Sequence, residues 1–159
     1  MKHFLDVNGN DVKLVLGNEQ PFTNKPDHVL VLTRHKSQWV LTDHQERGFE
    51  FPGGKVERDE TVEDAAMREV REETGGIVKK LVYLGQYQVT DSGKTFWKTI
   101  YFSILDEVEE RSHYYETDGP VYMQELPVGL KADDRFSFIM KDEVVTSAIQ
   151  FAIEQGLMS

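Results

Sequence analysis

Two adjacent glycines followed by a dense run of acids are the residues here best suited to chemistry. The stretch GGKVERDETVEDAAMREVREETG runs from Gly53 to Gly75. Within it Glu69, Glu72 and Glu73 are related by three and four residues, which puts their carboxylates on neighbouring positions of one helix face. Alone they repel, by roughly 0.2–0.5 kcal/mol per pair in water. A divalent cation reverses that sign. Several hard oxygen donors suit Mg²⁺ or Mn²⁺, and Mg²⁺ leaves positions for water and phosphate oxygens. The chemistry this pattern supports is cleavage of a diphosphate.

Local signals set the elements that must position these groups. Phe51-Pro52-Gly53-Gly54 closes a β-type run from Gly48 to Phe51, and adjacent glycines let the backbone approach a ligand or take φ > 0. Thr61-Val62-Glu63-Asp64 forms a capping box with Asp in the place of Glu or Gln, so a helix is expected from Thr61 to about Thr74. Gly75 and Gly76 stop it.

The pattern Gly54-x5-Glu60-x7-Arg68-Glu69-Val70-x-Glu72-Glu73-x-Gly75 resembles the signature of the Nudix (MutT-like) hydrolases. The resemblance implies an α/β (α+β) sandwich, a mixed β-sheet packed between helices. It also implies a metal site built from Glu69, Glu72, Glu73 and the carbonyl of Gly53, with Glu69 orienting or deprotonating the attacking water. Arg68 would fix a carboxylate rotamer, and Glu60 would hydrogen-bond inside the loop. Glu116, before Val121-Tyr122-Met123, matches an additional glutamate of several MutT-like enzymes and would ligate a metal or act as base. One position departs: the family expects a bulky aliphatic residue after Gly75, where this chain has Gly76, and Ile77 is expected to fill that core position.

The remaining sequence bounds the rest. A chain of 159 residues with 39% hydrophobic residues suits a single domain, 1–159. Without cysteine, neither disulfides nor thiolate metal sites contribute. Met1-Lys2-His3-Phe4 lacks the apolar run of a signal peptide, and no apolar run is long enough for a bilayer, so a cytoplasmic protein without a membrane partner is expected. Eighteen Lys and Arg against 28 Asp and Glu leave a net charge of −10, which argues against a duplex DNA partner. The expected partner is a nucleotide or the short 5′ end of an RNA, bound by a monomer or homodimer.

Phosphate then needs local cations. Lys55, Arg34, Arg47, Lys98 and Lys141 are the candidates, and Phe22, Trp39, Phe49, Trp97 and Phe138 are candidates for stacking on a base. The segment Phe136 to Asp142 lies where MutT-like enzymes place part of the base pocket. The five histidines show no metal-ligand spacing.

Elsewhere the pattern is of short strands. Phe4 to Val7 pairs with Val12 to Leu16 across Asn8-Gly9-Asn10, and His28 to Thr33 with Gln38 to Thr42. Lys80 to Val89 and Thr95 to Leu105 flank a turn at Asp91-Ser92-Gly93-Lys94, and Val121 to Leu126 is a further strand. Val145, Ala148, Ile149, Ala152 and Ile153 predict an amphipathic helix over Asp142 to Gln155.

The chain looks most like the Gram-positive nucleoside triphosphatase branch of the family. That implies a pyrophosphohydrolase releasing monophosphate and pyrophosphate from nucleoside triphosphates such as 8-oxo-dGTP. RNA 5′-pyrophosphohydrolase activity is the alternative, and a nucleotide sensor without turnover is the alternative of another class.

Overall fold

The computed structural model describes residues 1–17 and 20–158. In chain order it contains β1 (Lys2–Leu5), β2 (Asp11–Leu16), β3 (His28–His35), β4 (Gln38–His44), β5 (Gly48–Glu50), β6 (Gly53–Lys55), α1 (Val62–Thr74), β7 (Gly76–Asp91), β8 (Lys94–Val108), β9 (Thr117–Met123) and α2 (Glu143–Glu154). Short 3₁₀ turns lie at Leu130–Ala132 and Phe138–Met140.

The hairpins form where turn chemistry allows them. Between β7 and β8, Ser92 and Gly93 both take positive φ (51° and 82°), as a two-residue hairpin turn requires. Lys36 and Ser37 do the same between β3 and β4. The sheet order is β1-β2-β7-β8-β3-β4-β5, with β6 paired to β3 and β9 to β4. β3 and β8 run parallel and the other strand pairs antiparallel, giving the mixed sheet.

Side-chain alternation divides the core. Val29 and Val31 of β3 face one way, with Val40, Tyr101, Leu105 and the α1 residues Ala65, Ala66 and Val70. Leu30 and Leu32 face the other, with Trp39, Phe51, Phe102 and the α2 residues Val144, Val145 and Ala148. The sheet is thus held between the two helices. Burying a side chain of this size stabilises by about 1.5–3 kcal/mol, so a one-residue slip of β3 would exchange both cores at once.

Several boundaries differ from the sequence reading, β1 among them at Lys2–Leu5. β7 and β8 extend to Gly76 and Val108, because register shifts at Ile77/Val78, Val78/Lys80 and Tyr83/Gly85 bend the ribbon and break its alternation. β9 starts at Thr117 rather than Val121 and contains Pro120; it pairs with β4 alone, where a missing N–H is tolerated. Trp39 is 3% exposed and packs edge-on against Phe51 and Phe102, so it is core and not a stacking surface.

Candidate active site

Both ends of α1 are fixed by the residues the sequence suggests. Thr61 Oγ1 accepts the Asp64 amide at 3.0 Å. At the other end Gly75 takes φ 79° and its amide donates to Arg71 O. The expected role of Ile77 is not met: it is only partly buried. A Cβ on Gly76 would lie 2.7 Å from Leu105 and 3.1 Å from Val70, so those side chains fill the space.

The last turn of α1 is tied to the sheet through Glu73. Its carbonyl accepts Thr42 Oγ1 of β4 at 3.0 Å and Thr117 Oγ1 of β9 at 3.2 Å. Its carboxylate accepts the Gly53 amide at 3.2 Å. The neighbouring glycine is required for proximity, because a Cβ on Gly54 would meet the Glu69 carboxylate at 2.6 Å. Neither glycine takes positive φ. The glycine strand therefore lies directly on the acids of the helix.

Arg68 holds the rest of the cluster. Its guanidinium donates to both oxygens of Glu60, at 2.7 and 3.0 Å, to Glu69 at 2.8 Å, to Glu72 at 3.2 Å and to the Lys55 carbonyl at 3.0 Å. This raises the Arg68 pKa, Glu60 contributing most, and lowers that of Glu60. Glu60 also accepts the Glu57 amide, which fixes the loop. Glu69 and Glu73 behave oppositely. Burial raises Glu69, with Glu72 adding repulsion against the opposing Arg68. Burial also raises Glu73 well above the ordinary range, with Glu69 and Glu50 adding repulsion. Two carboxylates here hold more proton than they would in water.

Among the described residues no three acidic or histidine side chains converge as a ready-made cation cage. The expected set is divided: Glu72 turns to Arg68, and exposed Glu116 lines a different cavity together with Arg47. The physical reason is that Arg68 supplies the neutralising charge for Glu60 and Glu72 and offsets that of Glu69 only in part. Glu69 and Glu73 remain under-neutralised, and this is the environment a divalent cation would relieve.

A cavity of about 270 Å³ opens beside the glycine strand. Gly53, Gly54, Glu50, Arg47, Lys98 and Phe138 line it. A second cavity of about 160 Å³ shares Phe96, Lys98, Phe138 and Ile139 with the first and continues to Tyr87 and Asp142.

A family model for the NUDIX domain matches residues 21–140. The chain belongs to the Nudix family. Its similarity to a crystal structure of the Bacillus subtilis pyrophosphohydrolase BsRppH extends over 100% of both chains, with TM-score 0.97 and 46% identity. YtkD of Bacillus subtilis strain 168, provisionally named an 8-oxo-dGTP diphosphatase, is 47% identical over 98% of both chains. The 8-oxo-dGTP diphosphatase of Escherichia coli is 34% identical over 57% of this chain and 67% of its own. This Nudix chain is a hydrolase, of a family that works with divalent cations.

Of the cations expected near phosphate in this Nudix hydrolase, Arg47 and Lys98 reach the cavity. Arg47 is paired with Glu50 at 2.8 Å, and burial lowers the Lys98 pKa against the opposing charges of Asp142 and Glu50. Lys55 contributes its carbonyl to Arg68, and its side chain is exposed. Lys141 follows the 3₁₀ turn and its charge acts on Asp133, away from the cavity. Arg34 stacks over Trp39 at 4.6 Å, on a separate groove. Of the aromatic candidates, Phe138 lines the cavity and is 44% exposed, Phe49 packs on Phe136, and Trp97 donates to Gln88.

Sequence reasoning passed over Glu50, His28 and His44. Glu50 is 4% exposed and paired with Arg47; its place just before Phe51-Pro52-Gly53-Gly54 was the available signal. His44 Nδ1 accepts the amides of Glu46 and Arg47, which shapes the turn carrying Arg47. His28 reaches the cavity only through strand pairing.

Proposed function

We propose that this protein is a pyrophosphohydrolase that removes pyrophosphate from the 5′ end of triphosphorylated RNA. The observation that carries the substrate choice is the pair of adjoining cavities, joined at Lys98, Phe138 and Ile139, which continue past the space beside the glycine strand. A chain with a second nucleotide would extend from the first cavity towards the second. The likeness to BsRppH, a pyrophosphohydrolase 46% identical to this chain, supports the reading.

Glu69 and Glu73, with the Gly53 carbonyl, would hold Mg²⁺ or Mn²⁺, and Glu72 and Glu116 are its outer candidates. Bound there, a cation would supply positive charge against the diphosphate and lower the pKa of the attacking water. In its ionised form Glu69 would orient the attacking water or take its proton. Arg68 keeps Glu69 and Glu72 in place, while Glu60 orients Arg68. Arg47 and Lys98 offset phosphate charge as the leaving pyrophosphate separates. No residue of this set is spared in a way that would suit a sensor without turnover.

Nucleoside triphosphates, 8-oxo-dGTP among them, are the second reading, favoured by the provisional name of YtkD. The experiment offers Mg²⁺ with GTP, 8-oxo-dGTP and a short 5′-triphosphorylated RNA at equal concentration and follows the products. RNA turned over fastest, with pyrophosphate release that stops on chelation, is the expected result. Faster turnover of 8-oxo-dGTP would replace the RNA reading with nucleotide hydrolysis.

A further inference from the structure

His28 lines the substrate cavity and has no task in the chemistry above. It opens β3, with Lys55 of β6 as its pairing partner on one side and Lys98 of β8 on the other. The residue thus lies between the glycine strand and the cation of the cavity. Its ring meets Phe96 edge-on, with centroids 5.7 Å apart. Its Nδ1 is buried and has no hydrogen-bond partner among the described residues.

A buried polar atom without a partner costs stability, and a phenyl ring of the same outline would pack against Phe96 without that cost. Packing alone therefore does not account for an imidazole at this place in the cavity wall. Burial, then the charge of Lys98, hold the His28 pKa below its ordinary value; Asp27 opposes them and Lys55 adds to the lowering. The imidazole is neutral near pH 7 and offers one donor and one acceptor. That pair matches a sugar hydroxyl or a base edge, whereas Arg47 and Lys98 bring the charge that phosphate needs.

We propose that His28 hydrogen-bonds the nucleoside beside the cleaved linkage, as a specificity residue that reads nucleoside and not phosphate. The proposal rests on the pyrophosphohydrolase reading above.

The test compares His28→Phe and His28→Gln with the wild-type chain, using a short 5′-triphosphorylated RNA as substrate and inorganic tripolyphosphate as competing inhibitor. His28→Phe is expected to raise KM roughly tenfold, as for a lost neutral hydrogen bond, with kcat within about threefold. Inhibition by tripolyphosphate stays at the wild-type level, and the variant melts no lower than the wild type. His28→Gln, which keeps a donor and an acceptor, recovers part of the lost KM. A wild-type KM in His28→Phe overturns the assignment, as does a loss of tripolyphosphate inhibition matching the loss of RNA. If the Phe variant does not fold, the same readings are taken on His28→Ala. An active wild type with an unaffected variant removes His28 alone; a wild type that neither binds nor cleaves any nucleoside triphosphate or RNA overturns both readings.

Discussion

The Gly53 amide donates to the Glu73 carboxylate at 3.2 Å across a separation of 20 residues. That bond joins the start of the signature to its end. It brings the glycine strand, the helix terminus and the under-neutralised acids to one place.

Replacing Glu73 by Gln keeps an acceptor for the Gly53 amide but removes the charge. Turnover is expected to fall by at least about a hundredfold, the lower range for loss of a catalytic group. Circular dichroism should show an unchanged fold, and at pH 8 without metal the variant should melt no lower than the wild type, because burial disfavours the Glu73 charge. Near-wild-type rates from a folded Gln variant would remove Glu73 from the site.

Gly54→Ala tests contact rather than charge. Its Cβ would lie 2.6 Å from Glu69, so the carboxylate must move. A displacement near 1 Å at a reacting group costs on the order of a hundredfold, and kcat/KM should fall accordingly while stability changes little. An Ala variant with full activity would mean that the Glu69 position is not critical.

Arg68→Lys retains the charge and loses the planar fork that reaches Glu60, Glu69 and Glu72 together. A loss of about 1–3 kcal/mol is expected from the broken charge-assisted hydrogen bonds. Chemical denaturation measures it, and an unchanged midpoint would contradict the role drawn for Arg68.

Stability should depend on pH in a direction set by the acids. Glu69 and Glu73 have folded pKa values above their unfolded value of 4.5, and Asp142 is pushed up by burial from 3.8 to about 6. The folded chain therefore binds more protons than the unfolded chain, and stability falls as pH rises through the raised pKa values. Glu60, lowered by Arg68, works the other way: its contribution is present above 4.5 and lost as pH falls through its lowered value. Without metal the melting temperature should decline as pH rises from about 4 through about 6, the window set by Asp142, with Glu69 and Glu73 adding to the decline above 4.5. Added Mg²⁺ should restore it most at the alkaline end, where the carboxylates are ionised. A flat metal-free profile measured by thermal denaturation would contradict the raised values.

Much of this protein follows from local sequence. Thr61 and Gly75 bound α1 because a side-chain acceptor and a left-handed φ are properties of single residues. The 3.6-residue period places Glu69, Glu72 and Glu73 before any tertiary contact forms, and the Ser92-Gly93 turn sets its hairpin in the same way. The mixed sheet between helices follows the resemblance carried by those residues. What tertiary structure alone decided is which side chains meet. Arg68 took the charge of Glu72 and Glu60, Glu73 turned to Gly53, and Leu105 filled the space expected of Ile77. Parallel pairing of β3 with β8 set His28 beside Lys98, and packing buried Trp39 while leaving Phe138 exposed. Spacing along the chain fixes position on one helix or strand, whereas a cavity depends on the register between strands that are far apart in sequence, and that register is chosen by burial of both sheet faces at once.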